Sequence, residues 1–138
     1  MNTNKVAILI KKAALEADKI QMPILQSKDL TVTQYKFLKY LYMSPKDTVR
    51  IIDLENYYSM THPAAIDILK ILEKKGYTKR VVNPEDARSK IVSLTDKAYA
   101  EQAELEGLGD EMEAAVTGNL SEDEKQQLVL LLNKLMGD

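Results

Sequence analysis

The 138-residue chain contains no cysteine, which excludes disulfides, thiolate metal sites and thiol redox sensing. A single histidine, His62, leaves no set of imidazoles for a zinc site. No Gly-rich phosphate loop is present, so few conventional catalytic constellations remain. No catalytic residue, cofactor or metal site is expected, and the chain is read as a non-enzyme. Nothing near the first residues combines a basic segment, an apolar run and a small-residue cleavage site, and no apolar run approaches a membrane span. The expected location is therefore cytoplasmic, without membrane association.

What the chain does contain is a 45% hydrophobic composition, enough for one domain that buries roughly two thirds of its unfolded surface. Its net charge of −2 is unevenly distributed. Residues 1–69 carry +2, residues 70–97 carry +4 and residues 98–138 carry −8, counting Lys and Arg against Asp and Glu. Such segregation suits a protein that turns one face to phosphate while the rest stays soluble. A solvated acidic helix at the end of the chain would give the same tail without any DNA binding.

Val6, Leu9, Ile10, Ala13, Ala17, Ile20 and Ile24 recur at helical spacing and predict a long amphipathic helix that Pro23 ends or bends. Thr31 or Thr33 can cap a second helix through Phe37, Leu38 and Leu41 to Ser44. Lys46 to Arg50 reads as a connection with room for a short strand, and Ile51 to Tyr58 as a short helix. Thr61-His62-Pro63 then opens another, with Thr61 as N-cap and proline in a first turn whose backbone donors are unpaired anyway. Ile66, Leu69 and Leu72 give that helix its inward stripe, and Gly76 ends it as a C′ residue.

Gly76 to Thr95 reads as two short strands, Thr78 to Val82 and Lys90 to Leu94, around a turn at Asn83-Pro84-Glu85-Asp86. A basic hairpin delivered straight from a helix is the pattern of a winged helix. From Asp96 the chain is helical again, with a bend expected near Gly107 and a break at Thr117-Gly118-Asn119. Ser121 and Glu124 make a capping box that launches Leu128, Leu131, Leu132 and Leu135, a stripe suited to core or interface.

In the hairpin, Asp86, Arg88, Leu94 and Thr95 stand at the spacing of an Asp-x-Arg turn that ends in Leu-Thr. There the sequence resembles the MarR family of bacterial transcription regulators, over nearly the whole chain and most strongly over residues 65–98. The resemblance implies a mainly α, α+β fold: one MarR-like domain over residues 1–138, with a winged helix-turn-helix DNA-binding lobe at 31–97. Residues 1–25 and 98–138 would form the helical dimerisation region. It further implies a homodimer on double-stranded DNA with a palindromic operator, acting as a repressor and released by a small-molecule effector. Tyr35, Tyr40, Tyr42, Tyr57 and Tyr58 lie in the segments adjoining such effector sites, but buried tyrosines with wet tips are ordinary core.

Helix-turn-helix proteins place the first residues of their second helix in the major groove, which makes Thr61, His62, Ala64, Ala65 and Asp67 candidates for facing bases. For His62 an exposed helix start with no task is an equal alternative. By its match to the family's turn, Arg88 inserts into the minor groove or is held by Asp86, and Lys90 supports it on the wing. A charged strand edge that merely prevents edge pairing is the competing account of Lys79, Arg80, Arg88 and Lys90. Asp67 departs from the family pattern. It pairs with Lys70, accepts from a cytosine amine, or marks weak DNA binding. An architectural or protein-binding winged-helix dimer without sequence-selective DNA binding is the alternative function.

Overall fold

The computed structural model describes residues 2–138. In chain order the elements are α1 (Val6–Leu25), a 3-10 turn (Gln26–Lys28), α2 (Val32–Met43), β1 (Val49–Arg50), α3 (Ile51–Tyr58) and α4 (His62–Lys74). They continue with β2 (Thr78–Asn83), β3 (Asp86–Leu94), α5 (Asp96–Ala100), α6 (Gln102–Val116) and α7 (Glu122–Leu135). The chain divides into two compact units: Leu25–Gly107, and the two ends up to Ile24 and from Leu108 onward.

Within Leu25–Gly107 the helix limits follow from local chemistry. Thr31 Oγ1 accepts from the Gln34 backbone N–H at 3.2 Å while Gln34 Oε1 accepts from the Thr31 N–H at 3.1 Å, a reciprocal box that fixes the start of α2. At the end of α4 the Gly76 N–H reaches Glu73 O at 3.0 Å and the Tyr77 N–H reaches Leu72 O at 2.9 Å. That pairing is a Schellman motif, and it requires the left-handed φ of 86° that Gly76 adopts without strain. Leu72 and Tyr77, one on each side of the motif, are both buried. The chain therefore leaves α4 in a fixed direction and enters β2 at once.

The three strands form an antiparallel sheet in the order β1-β3-β2. Its core side joins Phe37, Leu38, Leu54, Leu69, Leu72 and Val92, all fully buried. Tyr58 stacks on Phe37 with ring centroids 5.7 Å apart and donates to Lys36 O at 2.8 Å, which seats α3 on α2. Burial pushes the Tyr58 phenol up to about 12, so it stays neutral and keeps donating. At the foot of the hairpin Lys28 Nζ contacts Glu101 Oε1 at 2.9 Å and Glu104 Oε2 at 2.7 Å, and the Tyr77 hydroxyl donates to the same Glu101 oxygen at 2.9 Å.

Several boundaries differ from the sequence expectation. Pro23 does not end α1, which continues to Leu25; so close to the terminus the missing proline N–H costs one hydrogen bond out of a 20-residue helix. β3 begins at Asp86, four residues earlier than expected, and β2 extends by one to Asn83. α6 runs unbroken through Gly107, where a helical glycine costs only about 1 kcal/mol relative to alanine. α5 and α6 meet at Glu101, the residue whose carboxylate Lys28 and Tyr77 hold.

In the unit made by the chain ends, Ser121 and Glu124 form the anticipated capping box at the start of α7. The α7 stripe is exposed in the single chain, reaching 61% at Leu131 and 58% at Leu135. Val6, Leu9 and Leu15 of α1 are exposed as well.

Candidate nucleic-acid interface

Between α3 and α4 the backbone turns at Ser59, whose φ of 53° is left-handed, and Glu55 O accepts from both the Ser59 and Met60 N–H groups. Thr61 Oγ1 accepts from the Ala64 N–H at 3.3 Å, and Pro63 occupies the first turn of α4, where its missing donor is not needed. These caps put Thr61, His62 and Asp67 on the exposed face of α4. Ala64 is half-buried.

Ala65 does not face outward. It is 0% exposed and shares the inner stripe with Leu69 and Leu72, at intervals of four and three residues. Ile66, expected in the core, is instead half-buried and lines the surface recess next to His62. The two residues exchange the roles the sequence suggested, because an alanine and an isoleucine one position apart cannot set the phase of a helix by size alone. The helical pair expected between Asp67 and Lys70 is not formed: among the described residues no ion pair joins them.

The wing is shaped by an irregularity rather than by a plain hairpin. Val82 pairs with Lys90 and the next residue, Asn83, pairs with Asp86, so one step along β2 spans four along β3. Ala87, Arg88 and Ser89 fall inside this bulge, and bulges re-aim side chains. Arg88 is accordingly 95% exposed, with its Nε 3.6 Å from Asp86 Oδ1, while the same carboxylate accepts from the Arg88 backbone N–H at 3.0 Å. Asn83 Oδ1 accepts from the Glu85 N–H at 3.0 Å and closes the turn. Lys90 is exposed beside it.

An open recess of about 670 Å³ runs between the start of α4 and the wing, lined by Arg50, Glu55, His62, Arg80, Arg88 and Lys90 among others. Three of these were not singled out as site residues from the sequence. Arg50 is held by Asp53, which accepts from its backbone N–H at 2.9 Å and from Nη2 at 3.1 Å. Burial pushes the Asp53 carboxyl up, but these two bonds outweigh it and hold the group below the usual range. Arg80 forms a bond of 2.6 Å from Nε to Glu73 Oε1, with Nη2 3.4 Å from Oε2. Glu55 lies 3.0 Å from His62 Nδ1 through its Oε2. The Arg50–Asp53 pair has a sequence signal in its i, i+3 spacing. The other two pairs span seven residues across a turn, and no periodicity announces them.

A short helix, a left-handed turn, a second helix with a polar start and a twisted antiparallel wing together define a winged helix-turn-helix protein. A family model described as MarR family matches residues 30–90. Apo MarR from E. coli is 27% identical with a TM-score of 0.79, over 97% of this chain and 98% of that one. A mutant E. coli MarR complexed with operator DNA is 27% identical with a TM-score of 0.84, covering 94% of this chain and 92% of its own. The S. aureus MepR–DNA complex gives 27% identity and a TM-score of 0.84, over 97% of this chain and 98% of that chain. Over the winged helix-turn-helix lobe the chain is thus similar to the MarR family, and its fold matches MarR and MepR over nearly the whole chain.

Proposed function

We propose that this protein is a dimeric, sequence-specific DNA-binding transcription regulator that acts as a repressor in the cytoplasm. The observation that carries the reading is the recess between the start of α4 and the wing, where Arg50, His62, Arg80, Arg88 and Lys90 converge. It fits a duplex lying across both elements. Thr61, His62 and Asp67 would then meet base edges in the major groove, with Ala64 at the margin. Arg88 would enter the minor groove, and Lys90 would meet phosphate. Two similar proteins, MarR from E. coli and MepR from S. aureus, were solved in complex with DNA, which supports DNA binding as such.

In this reading residues 31–97 are the DNA-binding lobe, and the helices at both ends form the dimer. Support for the dimer comes from α7, none of whose residues is buried and whose stripe of Leu128, Leu131, Leu132 and Leu135 is 37–61% exposed. A row of large apolar side chains of this kind marks an association surface. A second copy covers it with the same surface under two-fold symmetry. Two winged helices so related match a palindrome with half-sites about 34–36 Å apart. Release of the operator by a small-molecule effector follows the family resemblance.

Selection from a random DNA pool tests the function, with an enriched palindrome as the expected result. A folded protein that enriches no sequence would leave an architectural or protein-binding role instead. Light scattering tests the dimer: the full chain should scatter as two copies, and a chain lacking residues 1–24 should not. A folded, monomeric full-length chain would overturn the arrangement.

A further inference from the structure

His62 is the chain's only histidine, and among the described residues Glu55 is the one acidic group within bonding reach of it. The Glu55 side chain is 13% exposed, whereas that of His62 is 63% exposed. A carboxylate only accepts hydrogen bonds, so the contact at 3.0 Å places the proton of the neutral ring on Nδ1. Nε2 has no hydrogen-bond partner among the described residues. In the neutral ring Nε2 is an acceptor, and in the imidazolium it is a donor. The proton on the ring therefore decides what this position offers to DNA.

We infer that Glu55 is a positioning residue for His62, and that the pair makes operator binding proton-linked, with the imidazolium donating from Nε2 to an acceptor on the DNA. This rests on the DNA-binding reading given above. The charged groups that line the recess with His62 are Arg50, Glu55, Arg80, Arg88 and Lys90. Arg50 is offset by Asp53, Arg80 by Glu73 and Arg88 loosely by Asp86. In the free protein these cations oppose a further positive charge while Glu55 supports one. Phosphates arriving with DNA offset the cations, so the balance moves toward the charged ring on binding. Proton uptake and DNA binding are then thermodynamically coupled, each favouring the other.

The linkage has a definite size and sign. One linked proton changes the DNA dissociation constant by at most tenfold per pH unit, and affinity rises on acidification. Fluorescence anisotropy with the selected operator should give about tenfold tighter binding at pH 6 than at pH 8. His62→Gln should flatten that profile. Glu55→Gln should weaken the pH dependence while retaining His62, a change that a merely structural role for Glu55 would not produce.

With one histidine in the chain, ¹⁵N NMR of the ring reads the tautomer directly in the free protein. The Nδ1–H form should dominate at high pH and give way to a mixture in Glu55→Gln. A salt slope steeper by about one unit at pH 6 identifies a phosphate acceptor. Loss of affinity on 7-deazaguanine substitution identifies a guanine edge. Operator binding that is tight but independent of pH, or an Nε2–H ring in the free protein, overturns the inference while leaving the proposed function standing. Failure to bind DNA at any pH overturns both.

Discussion

Lys28→Met removes an ammonium from the foot of the wing while retaining most of the side chain's apolar stem. Lys28 and Glu101 are only 16% and 21% exposed as side chains, so their contact at 2.9 Å is poorly screened. A hydrogen bond between charged groups contributes about 1.5–3 kcal/mol. The Glu104 contact adds less than about 1 kcal/mol, because that carboxylate is 60% exposed. Tyr77 continues to donate to Glu101 and limits the penalty of orphaning it. The expected loss is about 2 kcal/mol at pH 7, a shift of about 1 M in the urea midpoint at equal protomer concentration.

The pH dependence makes this prediction specific. Bonding to Lys28 holds the Glu101 carboxyl below its ordinary 4.5, so its stabilisation is present above that value and vanishes as pH falls through the lower, folded one. Bonding to Glu101 and Glu104 raises Lys28 above its ordinary 10.5, so its stabilisation is present below that value and vanishes as pH rises through the higher, folded one. The deficit of Lys28→Met should be full at pH 7 and narrow at pH 3. A deficit under about 0.5 kcal/mol at pH 7, or one of equal size at both pH values, would refute the assigned strength of the network.

Arg88→Ala should weaken binding to many DNA sequences by similar factors and lower the salt slope by about one unit, since the bulge exposes this side chain with only a loose hold on Asp86. Unchanged affinity and slope, measured by anisotropy at three salt concentrations, would return the wing to the role of a charged edge. Asp67→Ala separates the two accounts that remain once the Lys70 pair is absent. Base readout predicts a relaxed preference for one cytosine worth about 1–3 kcal/mol, and repulsion predicts tighter binding to all sequences that fades with salt.

The elements most legible in the sequence are those fixed by contacts within a few residues. Thr31 with Gln34, Ser121 with Glu124, and Gly76 at a left-handed φ each specify a helix end without help from elsewhere in the fold. The illegible features are tertiary. Nothing local distinguishes Glu101 from its neighbours, yet it is the carboxylate that Lys28 and Tyr77 bind. The bulge at Ala87-Arg88-Ser89 arises from strand register, which a list of β-branched residues does not determine. Ala65 shows a third limit: alanine fits either face of a helix, so only the packed core assigns it. Of the candidate interface, the spacing of Asp86 and Arg88 was visible, whereas Glu55 and Glu73 become relevant only when the turns bring them beside His62 and Arg80.

Four carboxylates that hold cationic side chains of this surface bear on how it would discriminate among DNA sequences. Asp53 holds Arg50, Glu55 holds His62, Glu73 holds Arg80 and Asp86 lies against Arg88. Each lowers the net positive charge that the face offers to phosphate, and so lowers the affinity every sequence shares. Each also restricts a long or rotatable side chain to fewer rotamers, which reduces the ordering cost when the correct partner is met. Lys79 and Lys90 have no ion-pair partner among the described residues and remain free to attract phosphate without orientation. Attraction and selection are thereby divided between unpaired lysines and carboxylate-held groups. Neutralising one of the holding acids should therefore raise non-specific affinity while narrowing the gap between operator and random DNA.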